Sequence, residues 1–380
     1  MMTSDASHRE PLRVTHVIPQ IGVGGAERQL FELIRRSDPR QVTHRVLYFS
    51  DSKDEDQLAL YAQAGVDVRR VPRRRNRPLR FVGDLARALR HGAPHIVQCW
   101  LYSGTVWGRL GAIRAGARRI IITHRGTMLV HVRVLRILER LTSRRLVYVA
   151  NTAACAKSVG ERIGVDPGRF RVIHNGIDLS PYDEPPDRAR LRRELGLSED
   201  ARLVVCVGRL TWAKNYPMLL RVAKRSQGVL PFRFLIVGHG ELEADLRRQA
   251  ADLGVEETVR FLGLRHDVPR ILRAADCFCF TSRTEGFPNA LLEAMAAALP
   301  IVTTDFPGVR EVLEDGVHGT ILPSDDDEAA FRALRRYHED AAHAQRLAAQ
   351  ARTRAERCFS MDAMVRNTLA YYRELVGEMR

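Results

Sequence analysis

Ser282-Arg283-Thr284-Glu285-Gly286-Phe287-Pro288-Asn289-Ala290-Leu291-Leu292-Glu293-Ala294-Met295-Ala296 reads as a tight turn that opens a helix. The run before it, Cys277-Phe278-Cys279-Phe280-Thr281, has the unbroken hydrophobicity of a strand buried on both faces, as in a parallel sheet. Gly286 interrupts the pattern, Pro288 suits a first helical turn because its φ is fixed, and Ala290 to Ala298 is strong helix-forming sequence. A strand-to-helix turn is where α/β sheets place ligands. The free amides of a helix start favour an anion, phosphate above all. Two carboxylates, Glu285 and Glu293, would repel that anion unless they hold something uncharged and rich in hydroxyls. A nucleotide sugar supplies both parts.

The same alternation fills the chain. Arg13–Pro19, Arg45–Phe49, Val66–Val71, His95–Trp100, Arg119–Thr123, Leu146–Ala150 and Phe170–Ile173 read as strands with helical stretches between them. Strands alternating with helices of ten or more residues argue for a parallel sheet. This first unit closes near His174-Asn175-Gly176-Ile177-Asp178, where Asn-Gly signals a turn and Pro181, Pro185 and Pro186 follow as a linker. The alternation then restarts with strands at Arg202–Val207, Arg233–Val237, Val259–Leu262, Cys277–Thr281 and Ile301–Thr304, and helices at 214–226 and 241–253. Two α/β units in tandem are expected, with a helical tail over 341–378 whose Tyr371-Tyr372 needs something to pack against.

A length of 380 residues suits two domains, and no stretch approaches the ~20 apolar residues of a membrane span. Met1 to Glu10 is polar and lacks a signal peptide's apolar centre. The six cysteines show no metal-ligand spacing and suit a reduced, cytoplasmic protein. Charge is the informative total. Residues 1–180 hold 31 Lys and Arg against 15 Asp and Glu, whereas the remainder holds 29 against 30. A basic first half implies an anionic partner: nucleic acid, an acidic membrane surface or a phosphorylated substrate. The first lacks aromatic platforms among the arginines, zinc spacing or a reader motif, so nucleic acid is not expected. Arg133, Arg136, Arg140, Arg144 and Arg145 stud an amphipathic helical pattern, with Arg73-Arg74-Arg75-Asn76-Arg77 upstream. Such a helix either lies on an anionic membrane or is an ordinary surface helix burying its apolar stripe.

Four further corners carry candidate chemistry. Gly22-Val23-Gly24-Gly25-Ala26-Glu27 joins a strand to a helix; Glu27 stands where the third glycine of a dinucleotide fingerprint belongs, so a nicotinamide reading, with Asp51 as the ribose acid, is weak. Val207-Gly208-Arg209-Leu210-Thr211-Trp212-Ala213-Lys214-Asn215 brings a guanidinium and one of only four lysines to a helix start, which suits a diphosphate. Val237-Gly238-His239-Gly240 is a second glycine corner open to a nucleotide, and His124-Arg125-Gly126 ends a strand where a ligand would lie. Asp54-Glu55-Asp56 and Asp325-Asp326-Asp327 invite a metal-binding Asp-x-Asp reading, but both precede helical patterns, where acids cap helices.

Together these residues resemble the retaining glycosyltransferases of family 4, over nearly the whole chain. Gly24-Gly25-Ala26-Glu27 resembles the family's first loop and His174-Asn175-Gly176-Ile177-Asp178 its interdomain motif; Gly208-Arg209 with Lys214-Asn215 resembles its phosphate pair, and Glu285 through Glu293 its Glu-x7-Glu signature. The resemblance implies the GT-B fold: two Rossmann-like, doubly wound parallel-sheet domains facing a cleft. Residues 1–180 would bind the acceptor, 181–358 the nucleotide-sugar donor, and a last helix, 359–380, would cross back to the first domain. Glu285 would hold donor-sugar hydroxyls and Glu293 the ribose. Arg209 and Lys214 would neutralise the diphosphate, aided by Gly286, Phe287, Pro288, Asn289 and Ala290, with Gly238 and Gly240 at the nucleotide. Gly24, Gly25, His124 and Arg125 would serve the acceptor side, His124 touching the transferred sugar. Fixed cations and helix-end amides stabilise a leaving diphosphate without a metal, so a UDP- or GDP-sugar and no cofactor or metal are expected. The acceptor would be a glycan, lipid-linked, met by a cytoplasmic enzyme peripheral to the membrane; Gln98-Cys99-Trp100-Leu101-Tyr102 lacks the histidine many members carry there and leaves the acceptor open. An epimerase of the same fold is the alternative, with a basic nucleic-acid-binding protein as the rival of another class.

Overall fold

The computed structural model describes residues 10–22, 24–50, 54–73, 76–126, 132–185 and 187–377. The polar start up to Arg9, Val23, Asp51, Arg74, Arg75 and Pro186 lie outside these. The chain forms two compact units, Met1–Gly176 with Met361–Arg380, and Ile177–Ser360. The changeovers fall a few residues from the expected 180 and 358.

The first unit alternates β1 (Leu12–Ile18), α1 (Gly25–Arg36), β2 (Val42–Tyr48), α2 (Glu55–Gln63), β3 (Asp67–Arg70), α3 (Pro78–His91), β4 (Ile96–Trp100), α4 (Leu101–Ala115), β5 (Ile120–His124), α5 (Val132–Thr142), β6 (Leu146–Ala150), α6 (Ala153–Ile163) and β7 (Phe170–Val172). Its sheet runs β3-β2-β1-β4-β5-β6-β7, all parallel. The hydrophobic runs seen in the sequence are strands covered on both faces: Ile120, Ile121 and Ile122 are all fully buried. Each such side chain stabilises the fold by roughly 1.5–3 kcal/mol. Strand order reverses between β1 and β4, which opens a crevice at their C-terminal ends.

The second unit contains α7 (Arg188–Glu194), β8 (Arg202–Val207), α8 (Tyr216–Ser226), β9 (Phe232–Val237), α9 (Glu243–Asp252), β10 (Val259–Gly263), α10 (Val268–Ala274), β11 (Cys277–Phe280), α11 (Asn289–Ala296), β12 (Ile301–Thr304), α12 (Val309–Val312), β13 (Thr320–Leu322), α13 (Asp327–Glu339) and α14 (Ala341–Cys358). Its sheet runs β10-β9-β8-β11-β12-β13, again parallel, and reverses between β8 and β11. β13 was not expected from the sequence.

The helical tail is two helices rather than one. α14 ends at Cys358, and α15 (Met361–Gly377) belongs to the first unit. Phe359 and Ser360 break them apart because Ile177 N–H donates to the Phe359 carbonyl at 2.7 Å and Ile177 bridges Ser360. In the first unit α15 buries Tyr371 and Tyr372 in the core that holds Ile18, Leu30 and Trp100. The Tyr372 hydroxyl donates to Gln98 Oε1, and Gln98 Nε2 donates to Thr123 Oγ1 at 2.9 Å. Among the described residues no helix is long and apolar enough to cross a membrane.

Candidate active site

The second unit's site stands where its strand order reverses, between the turn that leaves β8 and the turn that leaves β11. After Val207 the chain does not enter a helix at 214, as the sequence suggested. Trp212–Lys214 forms one 3-10 turn, Asn215 takes a left-handed φ of 51°, and α8 starts at Tyr216. Asparagine tolerates that conformation better than most residues. Lys214 is thereby turned toward β11: its Nζ lies 2.6 Å from Glu285 Oε1 and 4.7 Å from the centre of the Phe280 ring. The Thr281 hydroxyl donates to the Lys214 carbonyl at 2.9 Å and pins that backbone. Ser282 Oγ donates to the same Glu285 oxygen at 2.6 Å. Lysine and glutamate side chains are only 17% and 12% exposed, so their attraction is weakly screened.

Arg209 is exposed and forms no ion pair among the described residues. The expected pair of cations is therefore split: Lys214 is held by Glu285, and Arg209 remains available to an anion. The corner is built on glycines that admit no side chain. A Cβ on Gly238, whose φ is +140°, would lie 2.0 Å from the Gly208 carbonyl oxygen, and one on Gly240 would lie 2.4 Å from that of Leu210. One on Gly208 would meet Lys214 Cε at 2.9 Å. Gly238 and Gly240 thus hold two turns against each other.

α11 starts one residue later than Pro288, which occupies the cap position. The Asn289 amide donates to the Phe287 carbonyl at 3.0 Å and Pro288 has no N–H, so those two positions add no donors to an anion. Glu293 is half-buried, one turn along α11.

Both acidic runs cap helices. Asp54 accepts from the Gln57 amide at 3.0 Å, and Asp326 from the Ala329 amide at 2.8 Å. Asp325 and Asp327 instead hold Arg221 at 2.7 and 2.8 Å, and Asp327 also holds Arg225 at 2.5 Å. Sequence reading gave no site role to Ser282 or Phe280, and it quoted Asn215 beside Lys214 without its left-handed turn. Ser282 was findable, since it lies three residues before Glu285 on the same strand end.

In the first unit, Gly24 caps α1, and a Cβ there would lie 2.4 Å from Glu27 Oε2. Glu27 is buried beneath the loop, which explains a glutamate in a glycine's place. Gly25 is the exposed first residue of α1. His124 ends β5 buried, its Nε2 without a hydrogen-bond partner among the described residues. Burial, aided by Arg109, lowers its pKa to about 4. Arg125 donates from Nη1 to Asn175 Oδ1 at 2.5 Å and stacks 4.8 Å over Trp100; burial lowers its pKa to about 10. Asn151, which follows β6, is buried with both amide atoms unpartnered among the described residues, and sequence reading passed it over.

These buried imidazoles fix a pH dependence. His16 shares a 2.9 Å hydrogen bond with His44 and accepts one from Trp100 Nε1 at 3.1 Å. Burial, and then His44, holds the His16 pKa well below its ordinary value; burial lowers that of His44 to about 4. Between about pH 6.5 and 4 the unfolded chain binds protons that the native rings refuse, so stability falls as pH falls through that window. One pKa unit is about 1.4 kcal/mol, so His124 alone removes up to about 3 kcal/mol. Thermal melts from pH 7 to 4.5 are expected to show a falling Tm, and His124→Asn should flatten the slope. An equal slope in the variant would assign the loss elsewhere.

Residues 23–181 match the family model described as Glycosyltransferase Family 4, and residues 187–354 the one described as Glycosyl transferases group 1. A D-inositol 3-phosphate glycosyltransferase of Nocardioides sp. is 32% identical over 260 residues, 64% of this chain and 56% of that protein. A UDP-Gal:alpha-D-GlcNAc-diphosphoundecaprenol alpha-1,3-galactosyltransferase of Escherichia coli is 32% identical over 182 residues, 46% of this chain and 47% of that protein. The chain thus spans about half the length of the curated relatives it matches. Among solved structures, Anabaena HepE in complex with UDP and glucose superposes with a TM-score of 0.82 at 21% identity, over 96% of this chain and 100% of that one. A glycosyltransferase from Rickettsia africae gives 0.86 at 15% identity, over 97% and 99%. At these identities the likeness is one of fold.

Proposed function

This chain belongs to the family-4 glycosyltransferases, with the GT-B fold, and from that premise we propose that it moves a sugar from a nucleoside-diphosphate donor to an acceptor hydroxyl with retention at the anomeric carbon. The observation that carries this reading is the Lys214–Glu285–Ser282 cluster, at 2.6 Å on each side, beside an unpaired Arg209 where the sheet order reverses. A cation that must meet a diphosphate and a carboxylate that must meet hydroxyls are already oriented by one another. Both contacts fall on Glu285 Oε1, which leaves Oε2 for a donor-sugar hydroxyl.

In the step itself the bond from the anomeric carbon to the diphosphate oxygen breaks, and negative charge grows on that oxygen. Lys214 Nζ and the Arg209 guanidinium stabilise that charge more in the transition state than before it, which is how fixed cations accelerate. The acceptor oxygen joins the anomeric carbon from the same face, and its proton passes to the leaving phosphate. Glu293 serves the ribose. No metal enters this scheme. His124 and Arg125 serve the acceptor side, with Gly24 and Gly25 letting backbone approach the substrates. The acceptor is a glycan carried on a lipid diphosphate, as in the name of the Escherichia coli relative, in the building of an envelope or secreted polysaccharide.

Two experiments test this. Thermal-shift screening of UDP- and GDP-sugars should find one donor that raises Tm. That donor should then lose its sugar to a lipid-linked acceptor in excess EDTA, giving an α-linked product from an α-linked donor. A donor epimerised without acceptor would establish the alternative chemistry, and activity restored only by Mn²⁺ would put a metal in the step.

The same proposal places the first unit on an anionic membrane face. On α5 only Leu135 and Glu139 are buried, while Val134, Ile137 and Leu141 are 48%, 57% and 76% exposed. Their spacing of three and four residues makes one apolar ridge, flanked by exposed Arg133, Arg136 and Arg140. That ridge is not buried in the unit's own core. Each arginine near an anionic surface is worth about 1 kcal/mol. Arg133→Gln/Arg140→Gln should therefore lower partition onto phosphatidylglycerol vesicles about thirtyfold in flotation. Equal flotation on neutral vesicles would remove the anionic surface from the reading.

A further inference from the structure

The N-terminal ends of the second unit's strands, opposite the site just described, enclose a cavity of about 380 Å³. That is within the range of pockets that hold small molecules. Its walls are apolar: Val204 at the start of β8, Phe232 at the start of β9, Leu299 and Leu334 are all nearly fully buried, and Ala344 and Ala348 of α14 add a smooth side. Its rim is basic. A single carboxylate, Asp276, serves three guanidiniums: Arg188 at 3.0 Å, Arg192 at 2.9 Å and Arg202 at 3.3 Å. Asp276 Oδ2 also accepts the Leu203 amide at 2.8 Å. A fourth, Arg273, reaches Glu184 at 3.1 Å, and its buried Nε has no partner among the described residues. Of these, Arg188, Arg202 and Arg273 line the mouth of the apolar box, together with one carboxylate, Asp276.

A further observation ties this cavity to the active site. β11 begins there, at Cys277 beside Asp276, and ends at Phe280 before the Ser282–Glu285 turn. α11 begins after that turn and ends at Ala296, and the cavity wall continues through Ala297, Ala298, Leu299 and Pro300. Ala298 ends the helix with a left-handed φ of 51°, its amide donating to the Met295 carbonyl at 3.0 Å and that of Leu299 to the Ala294 carbonyl at 3.1 Å. The strand-turn-helix that carries Glu285 therefore has both feet in the cavity. A four-residue strand and an eight-residue helix put the turn about 13 Å away.

We propose that this cavity is an effector site for a small amphiphile, one phosphate or carboxylate on an apolar body, whose occupancy is read at the Glu285 turn. The anion takes up the excess guanidinium charge, the body fills the box, and the load falls on Asp276–Cys277 and Ala297–Pro300. The effector half rests on the donor-site reading; the binding half does not.

Calorimetry of octyl phosphate against the whole protein, without nucleotide, tests the binding half. One molecule is expected to bind per chain, with inorganic phosphate at least about tenfold weaker and octylamine not binding. Lys214→Ala should leave octyl phosphate binding intact, which separates this site from the donor's. Ala349→Phe, an exposed position at the mouth, and Arg202→Gln, half exposed, should each weaken it about tenfold. No binding of octyl phosphate, equal binding of octylamine, or binding indifferent to both variants would overturn the site. Titration of the donor nucleotide found by thermal shift, with and without octyl phosphate, then tests the effector half: a change in its affinity of about fivefold or more is expected. An unchanged affinity with octyl phosphate bound would overturn that half.

Discussion

Lys214→Ala is expected to lower kcat by about 10²- to 10³-fold, the cost of removing one fixed charge aimed at a developing anion. The ammonium stands 2.6 Å from Glu285 and over Phe280, so it is oriented before any donor arrives. Arg209 cannot take over, because its exposed side chain has no comparable partner to place it. Since charge grows on the diphosphate as the bond breaks, the loss should fall more on kcat than on KM. Lys214→Arg should not restore the rate. A guanidinium is broad and planar where the ammonium is compact, and the stem runs so close to Gly208 that a Cβ there would meet its Cε at 2.9 Å. The fold should survive, because Glu285 keeps its hydrogen bond from Ser282, the Thr281 hydroxyl still donates to the carbonyl of residue 214, and the Arg283 amide to that of Ala213. Steady-state rates with the donor found by thermal shift, read beside a melting curve, check both halves. Near-normal kcat in Lys214→Ala and in Arg209→Ala would sink the assignment of the leaving-group cations.

The sheets were legible because parallel strands are buried on both faces and so leave continuous apolar runs. Cys277–Phe280 and Ile120–Thr123 could hardly be anything else. β13 was not, since Thr320–Leu322 is three residues at a sheet edge and carries no such signal. The break between α14 and α15 was equally hidden: Phe359 and Ser360 are neither glycine nor proline, and the break is made by Ile177, far away in sequence. The site divides along the same line. Glu285, Lys214 and the glycine corners were visible as residue types at strand ends, which is a local pattern. That Lys214 pairs with Glu285, 71 positions on, and not with Arg209, was not visible, because only the register of β8 beside β11 brings them together. The left-handed Asn215 lies between these cases: its residue type permits the turn without requiring it.

The largest stability effect is expected in the first unit, at Arg109 and Glu139, whose side chains meet at 2.5 Å with 1% and 3% exposure. The Tyr148 hydroxyl donates to the other Glu139 oxygen at 2.5 Å. Arg109 Nε and Nη1 already lack partners among the described residues, so this glutamate is what makes the buried guanidinium tolerable. Arg109→Met should therefore cost about 3–5 kcal/mol, mostly from a carboxylate left buried without its cation. Glu139→Leu should cost a similar amount for the opposite reason. Replacing both removes two buried charges together, and only the Tyr148 hydroxyl is then stranded, at about 1–3 kcal/mol. Adding Tyr148→Phe removes that as well, while Arg169 can still stack on the ring it now covers at 5.3 Å. The triple variant should thus be more stable than either single one. Because two units can unfold separately, a single global transition is a poor readout; amide exchange at Ile120–Ile122 reports on this unit alone. If the losses instead add, with the double variant as costly as the two singles summed, the pair is not a coupled buried charge and α5 is held to α4 by packing alone.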